Sequence, residues 1–289
     1  MPELPEVEVV KRSLEKLIVN LPIKGVKIIE TNLRYKVKRH EINQIIGLKI
    51  LSIKRRSKYL LFFFEKNIVM IAHLGMTGKF IFEDNNKIKK KTSFYYNLNE
   101  QKDNKHNHLI FLLKNGSRLI YNDVRKFGFI KFELSKQLIT NSHLNELGPE
   151  PLENNFNFKY FKQYIIGRRR IIKDLLMDQK FVAGLGNIYV NEILFFSKIK
   201  PTRKINELLD SDIKNLLVNT KKILKKAINF GGSSIKNFSS ISGKTGSFQQ
   251  HFSVYGKNSE DCSNADCNHK IKKIVISNRS SFFCSSCQK

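Results

Sequence analysis

The sequence predicts an α+β protein with three parts: an N-terminal β-sandwich with a leading helix, a helical domain, and a small C-terminal hairpin that binds metal. Three observations support this. Short β-branched and aromatic runs dominate the chain up to Phe132, helical spacing of apolar residues dominates from Phe158 to Phe230, and all four cysteines lie between residues 262 and 287. A chain of 289 residues is long enough for two ordinary domains and a small appended module.

The leading helix is predicted from Glu6 to Ile18, because Pro5 suits a first helical turn and apolar residues recur at helical spacing. Asn115-Gly116 is a strong signal for a hairpin turn. The polar, lysine-rich stretch Glu83–Asn107 predicts a long surface loop. Strand-sized apolar runs around these features occur at Tyr59–Phe64, Ile68–Ala72, Leu109–Leu113 and Leu119–Tyr121.

A linker is predicted at Leu147–Leu152, where a glycine and two prolines interrupt the chain. Gly231-Gly232 ends the helical part, and the Ser- and Gly-rich run to Gln250 predicts a mobile loop. The boundaries divide the chain into residues 1–135, a linker at 136–150, a helical domain at 151–240 and a cysteine module at 241–289. The predicted helices are Phe158–Ile166, Arg170–Gln179, Ile188–Ser197, Ile205–Leu208 and Ile213–Phe230.

The charge balance points to a polyanionic partner. Lys and Arg number 52 against 25 Asp and Glu, which gives a net charge of +27, and nucleic acid is the commonest large polyanion in a cell. Compositional drift in an AT-rich genome explains part of the lysine excess, and an anionic membrane surface is the other physical option. No apolar run is long enough to span a bilayer, and the acidic N-terminus lacks an export signal. We expect a cytoplasmic protein located around the genome.

The four cysteines form two close pairs. Four residues separate Cys262 from Cys267, two separate Cys284 from Cys287, and sixteen separate the pairs. Such pairs supply the tetrahedral thiolate set that Zn²⁺ prefers, and a chain without an export signal favours metal over disulfides. Four thiolates leave no position for water, so one structural zinc ion is predicted rather than a catalytic one. His269 is expected to be an exposed loop residue and not a ligand.

Arg279 is predicted near the turn of this hairpin, between strands at Ile271–Ile276 and Ser281–Phe283. The simplest interpretation is an ordinary basic turn residue. Beside a polyanion, however, a guanidinium on a rigid, metal-held finger is suited to binding a phosphate.

The N-terminus carries a candidate nucleophile. Pro2 follows the initiator Met, and removal of that Met would leave a free secondary amine. An α-amino group has a pKa of about 7.7–8.0, so a useful fraction is uncharged at neutral pH and can attack a sugar carbon to form an iminium. Glu3 and Glu6 could act as general acid and positioning group. The alternative is that Pro and Glu merely start a helix well.

Several motifs occur together in a fixed order, and the ordered set resembles the bacterial formamidopyrimidine-DNA glycosylases, which remove 8-oxoguanine and ring-opened purines. The resemblance extends from residue 2 to the last cysteine and leaves mainly residues 83–104 uncovered. It implies a β-sandwich with a leading helix, a helix–two-turn–helix domain and a zinc-finger hairpin. The motifs are Met1–Glu8, Arg55–Leu60, His73–Gly78, Asp123–Gly128, Leu147–Leu152, Gly184–Tyr189, Val254–Gly256 and the cysteine finger.

The resemblance also implies catalytic roles. Pro2 would attack the anomeric carbon of the sugar and displace the base, while Glu3 would protonate the ring oxygen. Lys58 would serve in β-elimination and Arg279 in δ-elimination, leaving a gap with phosphates at both ends. The partner would be double-stranded DNA with a damaged base or an abasic site, bound by a monomer.

A base inside a duplex must be flipped out before it can be excised, and the space it leaves must be filled. Met76, Arg125 and Phe127 match the intercalating residues of the family, although Met76 and Phe127 would otherwise be taken for core residues. The resemblance implies further DNA contacts at His106, Arg125, Arg168, Lys173 and Asn187.

Departures from the family pattern and two rival functions remain. The first cysteine pair has four intervening residues instead of two, and Val124, Lys126 and Asn278 replace the usual Pro, Arg and Gln. One rival is the endonuclease VIII-type glycosylase, which prefers oxidised pyrimidines; Leu4 and the Asp123–Gly128 motif favour the purine enzyme. The other is a non-catalytic DNA-binding protein, against which Pro2, Glu3 and Lys58 argue because binding alone needs none of them.

Overall fold

The computed structural model describes residues 1–86, 89–91, 104–233 and 247–289. The chain forms two compact units, Met1–Asn145 with Phe230–Gln249 and Glu146–Asn229 with Gln250–Lys289. The four-part division at residues 1–135, 136–150, 151–240 and 241–289 stays a prediction. In the part of the chain that is described, none of the helices is both long and apolar enough to cross a membrane.

The first unit is a β-sandwich. Its described residues form two antiparallel sheets, one with the strand order β1-β7-β8-β5-β6 and one with the order β2-β3-β4-β9. The elements are α1 (Leu4–Ile18), β1 (Ile23–Ile28), α2 (Arg39–Asn43), β2 (Ile50–Arg56), β3 (Tyr59–Phe64), β4 (Ile68–His73), β5 (Gly78–Glu83), β6 (Lys89–Lys91), β7 (Asn107–Leu113), β8 (Arg118–Asp123) and β9 (Phe129–Leu134).

The core of the sandwich joins side chains of both sheets to one face of α1. Leu14 of α1, Phe62 of β3 and Phe111 of β7 are each at most 1 % exposed within a continuous apolar cluster. Burial of such side chains supplies the main stabilising free energy of a sandwich, since each large apolar group contributes about 1.5–3 kcal/mol. The predicted β-sandwich with a leading helix is therefore confirmed.

Two predictions in this unit need correction. The leading helix begins at Leu4 instead of Glu6, because the Glu6 carboxylate accepts the Glu3 backbone N–H at 2.9 Å and caps an earlier start. The loop predicted at Glu83–Asn107 contains a strand, since Lys89–Lys91 pairs with β5. Residues 87–88 and 92–103 of that loop, and residues 234–246 of the predicted mobile loop, lie outside the described residues.

The second unit packs helices around one apolar helix. The elements are α3 (Phe158–Ile165), α4 (Ile172–Met177), α5 (Asn187–Phe196), α6 (Asp210–Asn229), β10 (Ile271–Ile276) and β11 (Arg279–Cys284). All residues of α5 from Ile188 to Phe195 are buried, so this helix forms the centre of the unit.

Two of the helices predicted in this unit need correction. The helix expected at Arg170–Gln179 is confined to Ile172–Met177, because the Ile171 backbone forms a β-bridge with Lys204 and cannot continue the helix. The segment expected at Ile205–Leu208 is a 3₁₀ turn, Ile205–Glu207.

The predicted hairpin is confirmed, with its second strand starting at Arg279 instead of Ser281. Ile276 pairs with Arg279, so Ser277 and Asn278 form a two-residue turn with φ values of 48° and 59°. Positive φ at both positions is the type I′ geometry that matches the twist of antiparallel strands, and Asn tolerates it well.

Candidate functional site

Buried acidic groups surround the N-terminus in the first unit. Pro2 is buried, and Glu3 and Glu6 are 4 % and 1 % exposed. Besides accepting the Glu3 N–H, the Glu6 carboxylate accepts the Ser233 backbone N–H at 2.8 Å and the Ser233 hydroxyl at 3.0 Å. Glu6 thus fixes the first residues of the chain to the residue that follows the Gly231-Gly232 pair.

The α-amino group of Met1, which precedes Pro2, has a lowered pKa. Removal from water is the largest cause; the positive charges of Lys58 and Arg125 act in the same direction, whereas Glu3 and Glu6 oppose it. A lowered pKa leaves more of the amine uncharged at neutral pH, and the uncharged amine is the nucleophilic form.

Lys58 lies in the turn between β2 and β3 and is 7 % exposed. Ser57 before it has a φ of 53°. Arg55 stabilises this turn by donating to the Ser57 carbonyl at 3.0 Å and to the Glu8 carboxylate of α1, also at 3.0 Å. Arg55 and Glu8 belong to quoted motifs, but nothing in their local sequence indicates that they meet, because 47 residues separate them.

The Asp123–Gly128 loop is organised by the fully buried carboxylate of Asp123. It accepts the Thr77 hydroxyl, the Gly128 N–H at 2.8 Å and the Arg125 N–H at 3.3 Å. Asp123 belongs to a quoted motif but has no predicted role. The signal available was its position, at the end of a strand and directly before the loop that carries Arg125 and Phe127.

Met76, Arg125 and Phe127 lie together on the surface of this unit. The Arg125 guanidinium is 3.0 Å from the Met76 sulfur and 4.5 Å from the centre of the Phe127 ring. Met76 is 39 % exposed and Phe127 47 %, so neither is a core residue. The three predicted intercalating residues therefore form one exposed apolar patch with a cation in it, which we call the wedge patch.

Close backbone packing beneath the wedge patch depends on two glycines. Gly75 has a φ of 60°, and a Cβ on it would lie 2.5 Å from the Gly128 nitrogen. A Cβ on Gly128 would lie 2.6 Å from the His73 carbonyl oxygen and would overlap the Tyr121 hydroxyl. The loops that carry Met76 and Phe127 can approach this closely because neither position has a side chain.

A cavity of about 590 Å³ adjoins the wedge patch. His73 in its wall has its pKa lowered to about 4, chiefly by burial and further by Lys58 and Arg34. The ring is therefore neutral near pH 7. Its Nδ1 accepts the Gly75 N–H at 3.1 Å, which leaves Nε2 to carry the proton. The cavity is lined by Met1, Arg34, His73, Gly75, Met76, Arg125, Lys126 and Phe127.

In the second unit, Arg279 is exposed, whereas Lys173 is 1 % exposed. The Lys173 ammonium donates to the Ser280 carbonyl at 3.2 Å and to the Ser281 hydroxyl. Burial lowers the pKa of Lys173 to about 8; Asp174 opposes this shift and Arg279 adds to it. The structure therefore brings Lys173 close to Arg279, and its ammonium contacts the hairpin.

The other predicted DNA contacts lie near element ends. Asn187 is the first residue of α5, and its amide donates to the Ser280 carbonyl at 2.9 Å. The Arg168 guanidinium stacks on Tyr164, 4.2 Å from the ring centre. In the first unit, His106 is partly exposed and ends a 3₁₀ turn before β7.

Glu192 is a further organising residue that sequence analysis missed. It is 1 % exposed and accepts the backbone N–H groups of Ser253, Val254 and Tyr255 at 2.8–3.0 Å. Burial raises its pKa, while the three N–H donors act in the opposite direction. A lone acidic residue in the otherwise apolar second half of α5 was the available signal.

The four cysteines lie together. Their sulfur atoms are all within 4.8 Å of one another, and the pairs Cys262–Cys287 and Cys267–Cys284 are 3.8 and 3.6 Å apart. Four thiolates around a metal at about 2.3 Å lie about 3.8 Å from one another, so this arrangement fits a tetrahedral ion. His269 is exposed, as expected.

Known protein families match most of the chain. Residues 1–130 match the formamidopyrimidine-DNA glycosylase N-terminal domain, and residues 147–239 match the formamidopyrimidine-DNA glycosylase H2TH domain. The chain is 39 % identical over 289 residues to a formamidopyrimidine-DNA glycosylase of Rickettsia bellii, with all of both chains covered. It is 38 % identical to that of Rickettsia massiliae, covering 100 % of this chain and 97 % of the relative.

Solved structures of a Lactococcus lactis enzyme are also similar. Its complex with DNA containing an abasic site superposes with a TM-score of 0.86 at 36 % identity, covering 99 % of each chain. The complex of a mutant of that enzyme with DNA containing Fapy-dG gives the same TM-score and identity and covers 100 % of each chain. These matches, with the sandwich, the helical unit and the cysteine hairpin, show that the chain belongs to the formamidopyrimidine-DNA glycosylase family.

Proposed function

We propose that the protein is a bifunctional DNA glycosylase and abasic-site lyase that removes oxidised purines, namely 8-oxoguanine and formamidopyrimidines, from double-stranded DNA. The observation that carries the proposal is the environment of the N-terminal amine. The α-amino group of Met1, one residue before Pro2, has a lowered pKa and lies among the charges of Glu3, Glu6 and Lys58, and Met1 lines a cavity beside the exposed wedge patch. Simple DNA binding requires no such amine.

The proposed reaction starts when removal of Met1 frees the secondary amine of Pro2. The amine attacks C1′ of the damaged nucleotide, the bond from C1′ to the base breaks, and the base leaves with the bonding electrons and takes up a proton. Glu3 protonates the ring oxygen, so the sugar opens as the iminium between C1′ and the proline nitrogen forms.

The iminium then acidifies neighbouring C–H bonds and drives strand cleavage. Loss of a proton from C2′ expels the 3′ phosphate in β-elimination, in which we assign a role to Lys58. Loss of a proton from C4′ expels the 5′ phosphate in δ-elimination, which we assign to Arg279. Hydrolysis of the iminium returns the amine. Each elimination breaks one carbon–oxygen bond and one carbon–hydrogen bond, and neither needs an oxidant.

Met76, Arg125 and Phe127 are proposed to enter the duplex where the damaged base is flipped out. Apolar side chains inserted between base pairs offset an unstacking cost of a few kcal/mol, and an arginine among them can donate to the unpaired opposite base. The exposure of Met76 and Phe127 supports this role, because a wedge must be available before the duplex arrives. His106, Arg168 and Asn187 are proposed to contact the DNA backbone.

The metal is proposed to be one structural Zn²⁺ held by Cys262, Cys267, Cys284 and Cys287. The four sulfur atoms fit tetrahedral coordination, and thiolate ligands favour zinc. The ion would stabilise the short hairpin that carries Arg279 and would take no part in bond breaking.

Borohydride trapping on a duplex with 8-oxoguanine opposite cytosine tests the proposal. We expect wild type to form a covalent adduct that maps to the N-terminal peptide, and Pro2→Gly and Glu3→Gln to form much less. Glu15→Gln is the matched control, because Glu15 lies on the same helix and pairs with Lys11 at 2.8 Å. An adduct formed only with an oxidised pyrimidine would assign the endonuclease VIII-type activity. Absence of any adduct, including with abasic DNA, would leave a binding protein.

A further inference from the structure

Side chains of α4 and α5 form hydrogen bonds with the backbone along one edge of the hairpin in the second unit. In a two-stranded sheet, alternate backbone groups of each strand point away from the partner strand and need other partners. Ile276 and Arg279, next to the turn, form a hydrogen-bonded pair, and hydrogen-bonded pairs alternate with non-hydrogen-bonded pairs along the two strands. Ser280, opposite Val275, and Phe282, opposite Lys273, therefore exchange no hydrogen bonds with their partners. The Ser280 carbonyl and the Phe282 N–H therefore point outward from β11.

Asn191 and Asn187 bind these outward groups. The Asn191 side-chain oxygen accepts the Phe282 N–H at 2.7 Å, and its amide nitrogen donates to the Asn187 carbonyl one helical turn earlier at 2.5 Å. The Asn187 amide nitrogen in turn donates to the Ser280 carbonyl at 2.9 Å. Asn191 is fully buried, so water does not compete for these hydrogen bonds.

Two residues of α4 hold the rest of the turn. The Lys173 ammonium donates to the same Ser280 carbonyl, and the Ser277 hydroxyl donates to the Asp174 carboxylate at 3.0 Å. Ser277, two residues before Arg279, and Ser280, directly after it, are thus fixed to the helices, while the Arg279 side chain itself is exposed. A change at the outer edge of β11 would therefore act on the backbone that carries Arg279.

We propose that Asn191 is a positioning residue for Arg279: it fixes the outer edge of β11 to α5 and so determines where the guanidinium meets the phosphate that leaves in δ-elimination. The inference rests on the proposed role of Arg279. It concerns a side chain that lies 88 residues earlier in the chain and that touches neither substrate nor metal in this scheme.

The test uses full-length protein and a duplex with a preformed abasic site, and it measures the ratio of δ- to β-elimination products. Asn191→Leu keeps the size of the side chain and removes both hydrogen bonds. We expect this ratio to fall about tenfold, since a catalytic group misplaced by 1 Å can cost up to a hundredfold. The yield of borohydride adduct and the zinc content should stay at wild-type levels.

Asn191→Asp is the second variant. As a carboxylate it still accepts the Phe282 N–H but repels the Asn187 carbonyl, whereas its protonated form restores the donor. At each pH, the ratio of δ- to β-elimination products of this variant is divided by the same ratio of wild type. We expect this quotient to rise towards one as the pH is lowered. If Asn191→Leu loses zinc, the pH profile is compared over the range in which Asn191→Asp keeps the zinc content of wild type, because recovery of the product ratio at constant zinc content separates positioning from folding.

Asn219→Leu is the matched control. Asn219 lies on α6, and its amide donates to the Phe196 carbonyl at the end of α5 at 3.3 Å. An unchanged ratio in both Asn191 variants, or an equal fall in Asn219→Leu, would overturn the inference. A further fall when Asn191→Leu is added to Arg279→Ala would overturn it too. Failure of wild type to form any adduct would instead contradict the proposed function.

Discussion

Two regions of the molecule each present an arginine that we assign to DNA, and they hold it in different ways. Arg125 lies in a loop fixed from below by the buried Asp123 carboxylate and by backbone packing at two glycines, on top of a large apolar core. Arg279 lies on a hairpin whose apolar cluster is small and includes two of the cysteines themselves.

The size of the apolar core beneath each arginine determines how the segment that carries the arginine is held in place. The wedge patch can leave apolar side chains exposed because the sandwich beneath it is stable without them. The hairpin buries too little apolar surface to be stable alone, since modules of this size usually need metals or disulfides. We propose that metal ligation by the four cysteines, together with the hydrogen bonds from α4 and α5, replaces the missing core.

Loss of the metal should have the largest effect. Structural zinc contributes about 10–16 kcal/mol in small fingers, so we expect Cys284→Ser to unfold the hairpin and to abolish DNA binding. Metal content by mass spectrometry and hydrogen exchange across residues 250–289 measure this. Ser285→Ala, at the exposed neighbouring position, should retain the metal and the protection of the hairpin amides from hydrogen exchange. One equivalent of tightly bound zinc and a protected hairpin in the Cys284 variant would contradict the comparison.

Loss of the Asp123 carboxylate should come next. Asp123→Ala leaves the Thr77 hydroxyl and the Gly128 and Arg125 N–H groups without their buried acceptor. We expect the free energy of unfolding to fall by about 3 kcal/mol, measured by urea denaturation. Asp84→Asn, where the carboxylate accepts an exposed Asn86 N–H, should change it by less than about 0.5 kcal/mol. Similar losses in both variants would show that Asp123 does not organise its loop.

Acid should destabilise the sandwich through His73. Its pKa is lowered from 6.5 to about 4, so between these values the unfolded chain binds more protons than the folded protein. Stability therefore falls as the pH falls through this window, by up to about 1.4 kcal/mol per pH unit. His73→Gln removes this contribution, and urea denaturation at several pH values should give a shallower slope than wild type. Identical slopes in the two proteins would show that His73 does not cause the loss of stability in acid.

Loss of the Phe127 ring should affect stability least. Because Phe127 is 47 % exposed, Phe127→Ala should change the free energy of unfolding by less than about 0.5 kcal/mol. Excision of 8-oxoguanine from duplex DNA should nevertheless slow about tenfold, because less of the unstacking cost is offset. Phe196→Ala, also 47 % exposed but at the end of α5, is the control for which we expect unchanged excision. An equal slowing in both would remove the wedge role.

Local signals in the sequence were sufficient to predict the main elements of the architecture. The alternation around Asn115-Gly116 predicted the β7–β8 hairpin, and the cysteine spacing predicted a cluster that the structure contains. Element boundaries were less predictable where distant residues decide them. The helix at Ile172–Met177 is shorter than expected because Ile171 pairs with Lys204, a contact that periodicity does not encode.

The supporting residues of the candidate site were the part that could not be predicted. Asn191 and Phe282 are 91 residues apart, and Glu6 and Ser233 are 227 apart. Glu6 belongs to the Met1–Glu8 motif and is a predicted positioning group, whereas Asn191, Phe282 and Ser233 do not stand out in their local sequence. Their partners are determined by tertiary packing, whereas Pro2, Lys58 and Arg279 could be assigned because they belong to contiguous motifs.

The contact between Gly75 and Gly128 has a consequence for how this protein tolerates mutation. Any side chain at either position would have to displace backbone atoms. Suppose that every substitution is made at every position and that cells are selected for DNA repair. Only glycine should then be tolerated at these two positions, just as only the native residue should be tolerated at each catalytic position. A substitution map made without the structure would then assign to catalysis two glycines whose requirement comes from the close backbone approach of two loops.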